Sequence, residues 1–195
     1  MCNNYRLLGA AQALAQAMGI PFEADITLPP HDLFPKRPAL VVRAETAGRV
    51  AETMVWGFPP PPGVRGQVAN VRNLASPFWR AALTNPSRRC LIPASEFCEW
   101  EGEKGAKRAR WFNVPSLPVF AFAGIWRPGP GDPLGIGEPC FAMLTCEPNT
   151  MVGTVHPKAM PVILHPKDHD RWLAAPLAEA LPLAAPFPSQ LMAMT

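Results

Sequence analysis

The chain has 195 residues, with 26 prolines, 14 glycines, six tryptophans, 48% hydrophobic and 17% charged residues, and a net charge of +3. Proline stands at more than twice its ordinary share of about 5%, yet proline plus glycine stays below the roughly 25–30% that marks low-complexity disorder. Each proline fixes φ and lacks an N–H, which argues against long bundled helices, a coiled coil or a parallel sheet with long crossovers, and no apolar run reaches the roughly 18 residues of a membrane-crossing helix.

In chain order, Leu7, Leu8, Ala11, Leu14, Ala15 and Met18 recur at helical spacing. With Arg6 the lone basic residue before them and Gln12 and Gln16 inside the run, this reads as an amphipathic helix in preference to a secretory signal. Residues 39–44 and 50–57 predict two strands joined by a turn at 45–49, and the prolines of 58–63 force an extended loop. Ser76-Pro77-Phe78-Trp79-Arg80 opens the clearest helix, with serine at the N-cap position and proline in the first turn; Asn85-Pro86 ends it. Short strands follow at 90–92, 97–101, 109–114, 119–126 and 140–145, with 128–139 expected as a flexible excursion. A short helix at 147–155, a strand at 160–164 and a helix at 166–175 complete the pattern, and the tail 176–195 is expected to pack irregularly. The sum is one α+β domain over 1–195: a curved, mainly antiparallel sheet or half-barrel with short peripheral helices.

Five cysteines, at positions 2, 90, 98, 140 and 146, are odd in number and contain no C-x-x-C pair. They read as reduced thiols of an intracellular protein, four of them packed as small hydrophobes in strands. Residues 65–110 carry nine basic and four acidic groups, a mild positive bias that suits an anionic partner. Lys104, Lys107, Arg108 and Arg110 fit equally well as the solvated turn of a hairpin. His165, Asp168, His169 and Asp170 crowd together, but Pro166 opens a helix there and acidic residues in a first turn are ordinary dipole partners, so no metal and no cofactor are expected.

Cys2 is the most informative residue. Removal of Met1 would leave one carbon framework bearing both a thiol and an α-amine, with reference pKa values of about 8.5 and 7.7–8.0. Such a 1,2-aminothiol attacks aldehydes: the amine forms a Schiff base and the thiol closes a five-membered thiazolidine. It could instead serve as an acyl-transfer nucleophile, and position alone also fits a cysteine that is simply buried. Glu99, among the large apolar residues of Phe97-Cys98-Glu99-Trp100, would have its pKa raised by desolvation, which suits a proton shuttle but also fits a residue on a strand surface. His156, held between Thr154-Val155 and Pro157, is a candidate acid or base.

Six blocks in order now carry a resemblance. They are Val55-Trp56-Gly57-Phe58-Pro59-Pro60; Ala69-Asn70-Val71-Arg72; Arg89-Cys90-Leu91-Ile92-Pro93-Ala94; Phe97-Cys98-Glu99-Trp100; Phe122-Ala123-Gly124-Ile125-Trp126; and Val155-His156 with Met160-Pro161-Val162-Ile163-Leu164. With the Met1-Cys2 start, the chain resembles the SOS response-associated peptidase family, the abasic-site processing proteins. The resemblance implies two antiparallel sheets in a pseudo-barrel with flanking helices. It also implies covalent capture of abasic sites in single-stranded DNA through a thiazolidine on Cys2, after self-removal of Met1. Asn70 would position the α-amine and sugar oxygens, and Glu99 and His156 would handle protons. A thiol peptidase, or a non-catalytic reader of modified single strands, are the alternatives. For the DNA surface the candidates are Arg72 and Arg80 on phosphates, Trp56, Phe78 and Trp79 stacking on bases, and Lys158 with Met160 beside them. A cytoplasmic, nucleoid-associated monomer is expected. The chain departs from the family's usual Cys-Gly-Arg start with Asn3-Asn4, from the run after Arg72 with Asn73-Leu74-Ala75-Ser76, and from the arginine before Met160 with Ala159.

Overall fold

The computed structural model describes residues 2–21, 26–63, 65–103, 105–129 and 138–195. The first half runs β1 (Tyr5–Arg6), α1 (Ala11–Met18), β2 (Asp32–Leu33), β3 (Pro38–Glu45), β4 (Gly48–Trp56), β5 (Asn70–Val71), α2 (Pro77–Thr84), β6 (Arg89–Ala94), β7 (Glu96–Glu101) and β8 (Arg108–Asn113). The second half adds β9 (Phe120–Arg127), β10 (Cys140–Cys146), α3 (Thr150–Gly153), β11 (Met160–Pro161), β12 (Ile163–Leu164), α4 (His169–Ala174), α5 (Leu177–Ala180) and β13 (Ala193–Met194). The fold is α+β, with short helices around mainly antiparallel sheets, as the proline content requires. No helix among the described residues is long and apolar enough to cross a membrane.

The larger sheet is ring-like. β4, β3, β6 and β9 pair in sequence, and β10 completes the circuit, parallel to β4 at Cys140↔Val55 and antiparallel to β9 at Phe141↔Trp126. β6 and β10 are buried along their whole length and β9 along Phe120 to Ile125, which is why these strands read as continuous apolar runs without alternation. Gly124 permits the tightest approach in this ring: a Cβ there would lie 2.8 Å from Cys90 Sγ and 2.8 Å from Ile92 Cδ1. The smaller sheet, in the order β13-β8-β7-β1-β2, meets the ring along an aromatic seam. Tyr5 packs edge-on against Trp56 at 5.2 Å and Phe122 at 5.7 Å, and Phe97 meets Phe122 at 6.0 Å.

Three expectations change. Residues 160–164 are two strands, not one, because β9 and β10 diverge and the segment enters the gap between them. β11 pairs with β10, β12 pairs with β9, and Val162 bonds to both sides, its N–H to Leu144 O and its O to Ala123 N–H. The tail is also ordered: β13 pairs with the outer edge of β8 through Ala193↔Asn113 and Met194↔Phe112, satisfying backbone groups that a bare edge would leave open. The helix expected over 147–155 contracts to α3, capped by Asn149 Oδ1 accepting from Val152 N–H at 2.8 Å. Of the excursion expected at 128–139, residues 130–137 lie outside the described residues.

Sequence gave no role to Arg89, which is fully buried and joins two helices to the ring. Its Nε–H donates to Leu83 O (3.0 Å) in the last turn of α2, and its Nη1 donates to Trp172 O (3.1 Å) and Ala175 O (2.7 Å) at the end of α4. A cation at two helix C-termini opposes both negative dipole ends while filling carbonyls that have no intrahelical donor. Arg89→Leu strands two buried acceptors and a half-buried one, each buried one costing about 1–3 kcal/mol, so urea unfolding is expected to show a loss of at least about 2 kcal/mol. An unchanged midpoint would contradict this role.

Candidate active site at Cys2

β1 lies between β7 and β2, with Tyr5 opposite both Phe97 and Leu33. The pairing extends toward the N-terminus, since Cys98 N–H donates to Asn4 O at 2.9 Å, so residues 2–4 run along β7 past Cys98 and Glu99. Cys2 is fully buried there, its Sγ 3.5 Å from Asn4 O. The ring holds the same residue from the other side: Asn70 Nδ2 donates to Cys2 O at 3.0 Å. Asn70 can do so because β5 pairs in parallel with β10, Asn70 beside Met143.

Glu99 is 2% exposed and accompanies Phe97 on the seam. Its cross-strand neighbour Arg110 turns to Glu101 instead, at 2.7 Å. Glu99 Oε1 is buried without a hydrogen-bond partner among the described residues, and burial pushes the carboxyl pKa up to about 7. The Cys2 thiol is pushed well above its ordinary value, first by burial and then by the charge of Glu99. The two groups therefore disfavour ionising together, so a proton leaving one is best received by the other. Burial raises the Cys90, Cys98, Cys140 and Cys146 thiols as well, which fits their expected packing as small hydrophobes. The charge of Glu99 raises Cys98 as well as Cys2, and the bond from Asn70 is what sets Cys2 apart.

His156 follows α3 in a turn that its own ring closes: Nδ1 accepts the Ala159 N–H at 3.2 Å. That bond leaves the proton of the neutral ring on Nε2, and burial lowers the pKa, so the imidazole is neutral at pH 7. The loop is fastened to the Asn70 strand, because Arg72 Nη2 donates to Lys158 O at 3.5 Å and pairs with Glu147. Thus Asn70 holds Cys2 by a hydrogen bond, the charge of Glu99 acts on the Cys2 thiol, and His156 stands on a loop tied two residues beyond Asn70.

The expected DNA surface divides. Arg72, Arg80 and Lys158 are exposed. Phe78 is half-buried, in contact with Trp79 at 4.5 Å. Trp56, Trp79 and Met160 are corrected to core residues. Trp56 is 0% exposed, stacks on Phe141, and donates its indole N–H to Ala69 O at 3.0 Å. Trp79 packs on Phe58 at 5.3 Å, and Met160 is held by pairing with Cys146. Large apolar side chains near a motif are drawn inside first, and these have no exposed face left for a base. The sequence reading also missed residues at the site. Asn4 Oδ1 and Tyr5 OH are buried without hydrogen-bond partners among the described residues, just before and at the start of β1; their adjacency to Cys2 was the only signal. Among the described residues no group of three or more side chains is placed to hold a metal, and His169 is buried at the start of α4 with its pKa lowered to about 4, mainly by burial.

The fold recurs in solved structures. A Bordetella bronchiseptica protein superposes with a TM-score of 0.81 at 22% identity, covering 100% of this chain and 98% of the other. A Bacteroides thetaiotaomicron protein gives 0.80 at 20% identity, covering 99% and 90%. In sequence, the chain is 29% identical over 156 residues to the Bacillus subtilis abasic site processing protein YoqW, covering 74% of this chain and 66% of that protein. It is 27% identical over 186 residues to the abasic site processing protein YoaM of the same organism, covering 89% and 79%. The family description SOS response associated peptidase (SRAP) matches residues 1–195, from Cys2 through the Asn70, Glu99 and His156 blocks to the last strand, and the chain belongs to that family.

Proposed function

We propose that this protein processes abasic sites, capturing the ring-opened aldehyde of the lesion in single-stranded DNA as a thiazolidine on Cys2. The observation that carries the reading is a buried carboxyl with a pKa of about 7, Glu99, whose charge acts on a buried thiol with its backbone clamped by Asn70. Relatives named abasic site processing proteins support it at 27–29% identity.

The chemistry balances with the groups present. Once Met1 is removed, the Cys2 amine adds to the aldehyde carbon to give a carbinolamine. Glu99, its pKa pushed up to about 7, gives a proton to the departing hydroxyl, which leaves as water and yields the protonated Schiff base. Cys2 Sγ then adds to the imine carbon, its proton passing to Glu99 while the nitrogen becomes a secondary amine. Aldehyde plus aminothiol gives thiazolidine plus one water, and Glu99 ends as it began. Asn70 fixes the Cys2 backbone, and its buried Oδ1, without a partner among the described residues, is an acceptor for the amine. Neutral His156 supplies a second site for proton exchange with the sugar hydroxyls. The same thiol can accept the Met1 acyl group and pass it to water, so peptidase activity confined to removal of Met1 belongs to the same site. Arg72, Arg80 and Lys158 are the phosphate contacts.

Wild-type protein incubated with single-stranded DNA carrying one abasic site is expected to give a shifted band on a denaturing gel; Cys2→Ala gives none. A band unchanged in Cys2→Ala would overturn the reading. Asn70→Ala is expected to slow adduct formation about 10- to 100-fold, since misplacement alone can cost that much. Glu99 also fixes a pH dependence. Its folded pKa of about 7 lies above the ordinary 4.5, so the folded state holds the proton more tightly than the unfolded chain. Wild-type stability relative to Glu99→Gln therefore falls as pH rises from 4.5 through about 7 and levels off above. Urea midpoints of both proteins at pH 5 and pH 8 test this, and an equal difference at the two values contradicts it.

A further inference from the structure

Arg72 is the exposed cation nearest in sequence to Asn70, and the fold does not leave it free. Parallel pairing of β5 with β10 delivers Arg72 and Glu147 to the same end of two adjacent strands, where they form an ion pair. Thr145 Oγ1 fastens that end by donating to Val71 O at 3.3 Å, and Lys158 O accepts a further bond from Arg72. The pair is solvent-facing, with the Arg72 side chain 39% exposed and that of Glu147 72% exposed. It thus lies at the rim of the site, with Arg72 two residues beyond the asparagine that clamps Cys2.

We propose that Glu147 is an affinity-setting residue: it competes with a backbone phosphate for the Arg72 guanidinium, so that binding of an undamaged strand must first displace an internal anion. This rests on the reading of Arg72 as a phosphate contact. A phosphate arriving at Arg72 meets both a cation already paired and a like charge beside it, and each lowers non-covalent affinity. Retention on DNA then depends on the covalent step at Cys2 more than on charge. The partner chemistry is a polyanionic single strand, and the device acts before any lesion is engaged. An exposed pair has modest worth and is screened by salt, so the effect is bounded and largest at low ionic strength.

The test is a double-mutant cycle on binding of a fluorescent oligothymidylate without a lesion, read by anisotropy at low and at near-physiological salt. Glu147→Gln is expected to bind about two- to fivefold tighter than wild type at low salt, with the gain shrinking as salt rises. In an Arg72→Ala background the same substitution should change affinity by clearly less. Equal gains in both backgrounds would show a general charge effect and overturn the proposal, as would no gain in wild type. If Arg72→Ala alone leaves affinity unchanged, the phosphate role of Arg72 fails and the competition with it. That outcome stays separate from the capture chemistry, which the Cys2→Ala gel reads.

Discussion

The site depends on a two-residue strand. β1 holds the N-terminal segment between β7 and β2, and the bond from Cys98 N–H to Asn4 O extends that hold to the residues next to Cys2. A chain terminus is ordinarily the least ordered part of a domain, because few contacts offset its entropy. Here Tyr5 is driven into the seam between the two sheets against Trp56 and Phe122, and the burial of that one ring brings the preceding residues inside. Asn70 completes the capture from the opposite sheet. Without the seam, Cys2 would be a solvated thiol with an ordinary pKa and no carboxyl beside it.

That arrangement explains why Glu99 carries its charge so reluctantly. The antiparallel register sets Arg110 opposite Glu99, a pairing that would have held the carboxylate ionised, but Arg110 is taken by Glu101. Burial then dominates, and the carboxyl is left to exchange a proton near neutrality. A buried carboxyl whose Oε1 has no hydrogen-bond partner among the described residues is costly to stability, and strongly shifted groups of this kind cluster at functional sites. The scaffold offsets that cost elsewhere, notably through Arg89, whose three carbonyl bonds lock α2 and α4 onto the ring.

Much of this was legible in the residues. Continuous apolar runs marked β6, β9 and β10, the punctuation by proline and glycine marked most strand limits, and the order of motifs pointed to Cys2, Asn70, Glu99 and His156. What escaped has a common physical character: it lies in long-range pairing. Nothing local tells that Val162 bonds to two diverging strands, that Ala193 completes the edge of β8, or that Arg72 finds Glu147 some 75 residues away. Trp56 and Trp79 misled for a related reason, since an aromatic residue beside a motif reads alike whether it faces the core or a base. Arg89 misled in the other direction, as a cation counted toward surface charge that is in fact the most deeply buried arginine of the fold.

In the capture chemistry proposed for Cys2, one residue supplies both the amine and the thiol. Mass spectrometry of the DNA adduct, formed without borohydride and digested to its N-terminal peptide, tests it most directly. The expected peptide begins at Cys2, lacks Met1, carries the sugar fragment with loss of one water, and resists thiol alkylation. A peptide that retains Met1, an adduct seen only after borohydride reduction, or a Cys2 thiol still open to alkylation would contradict it.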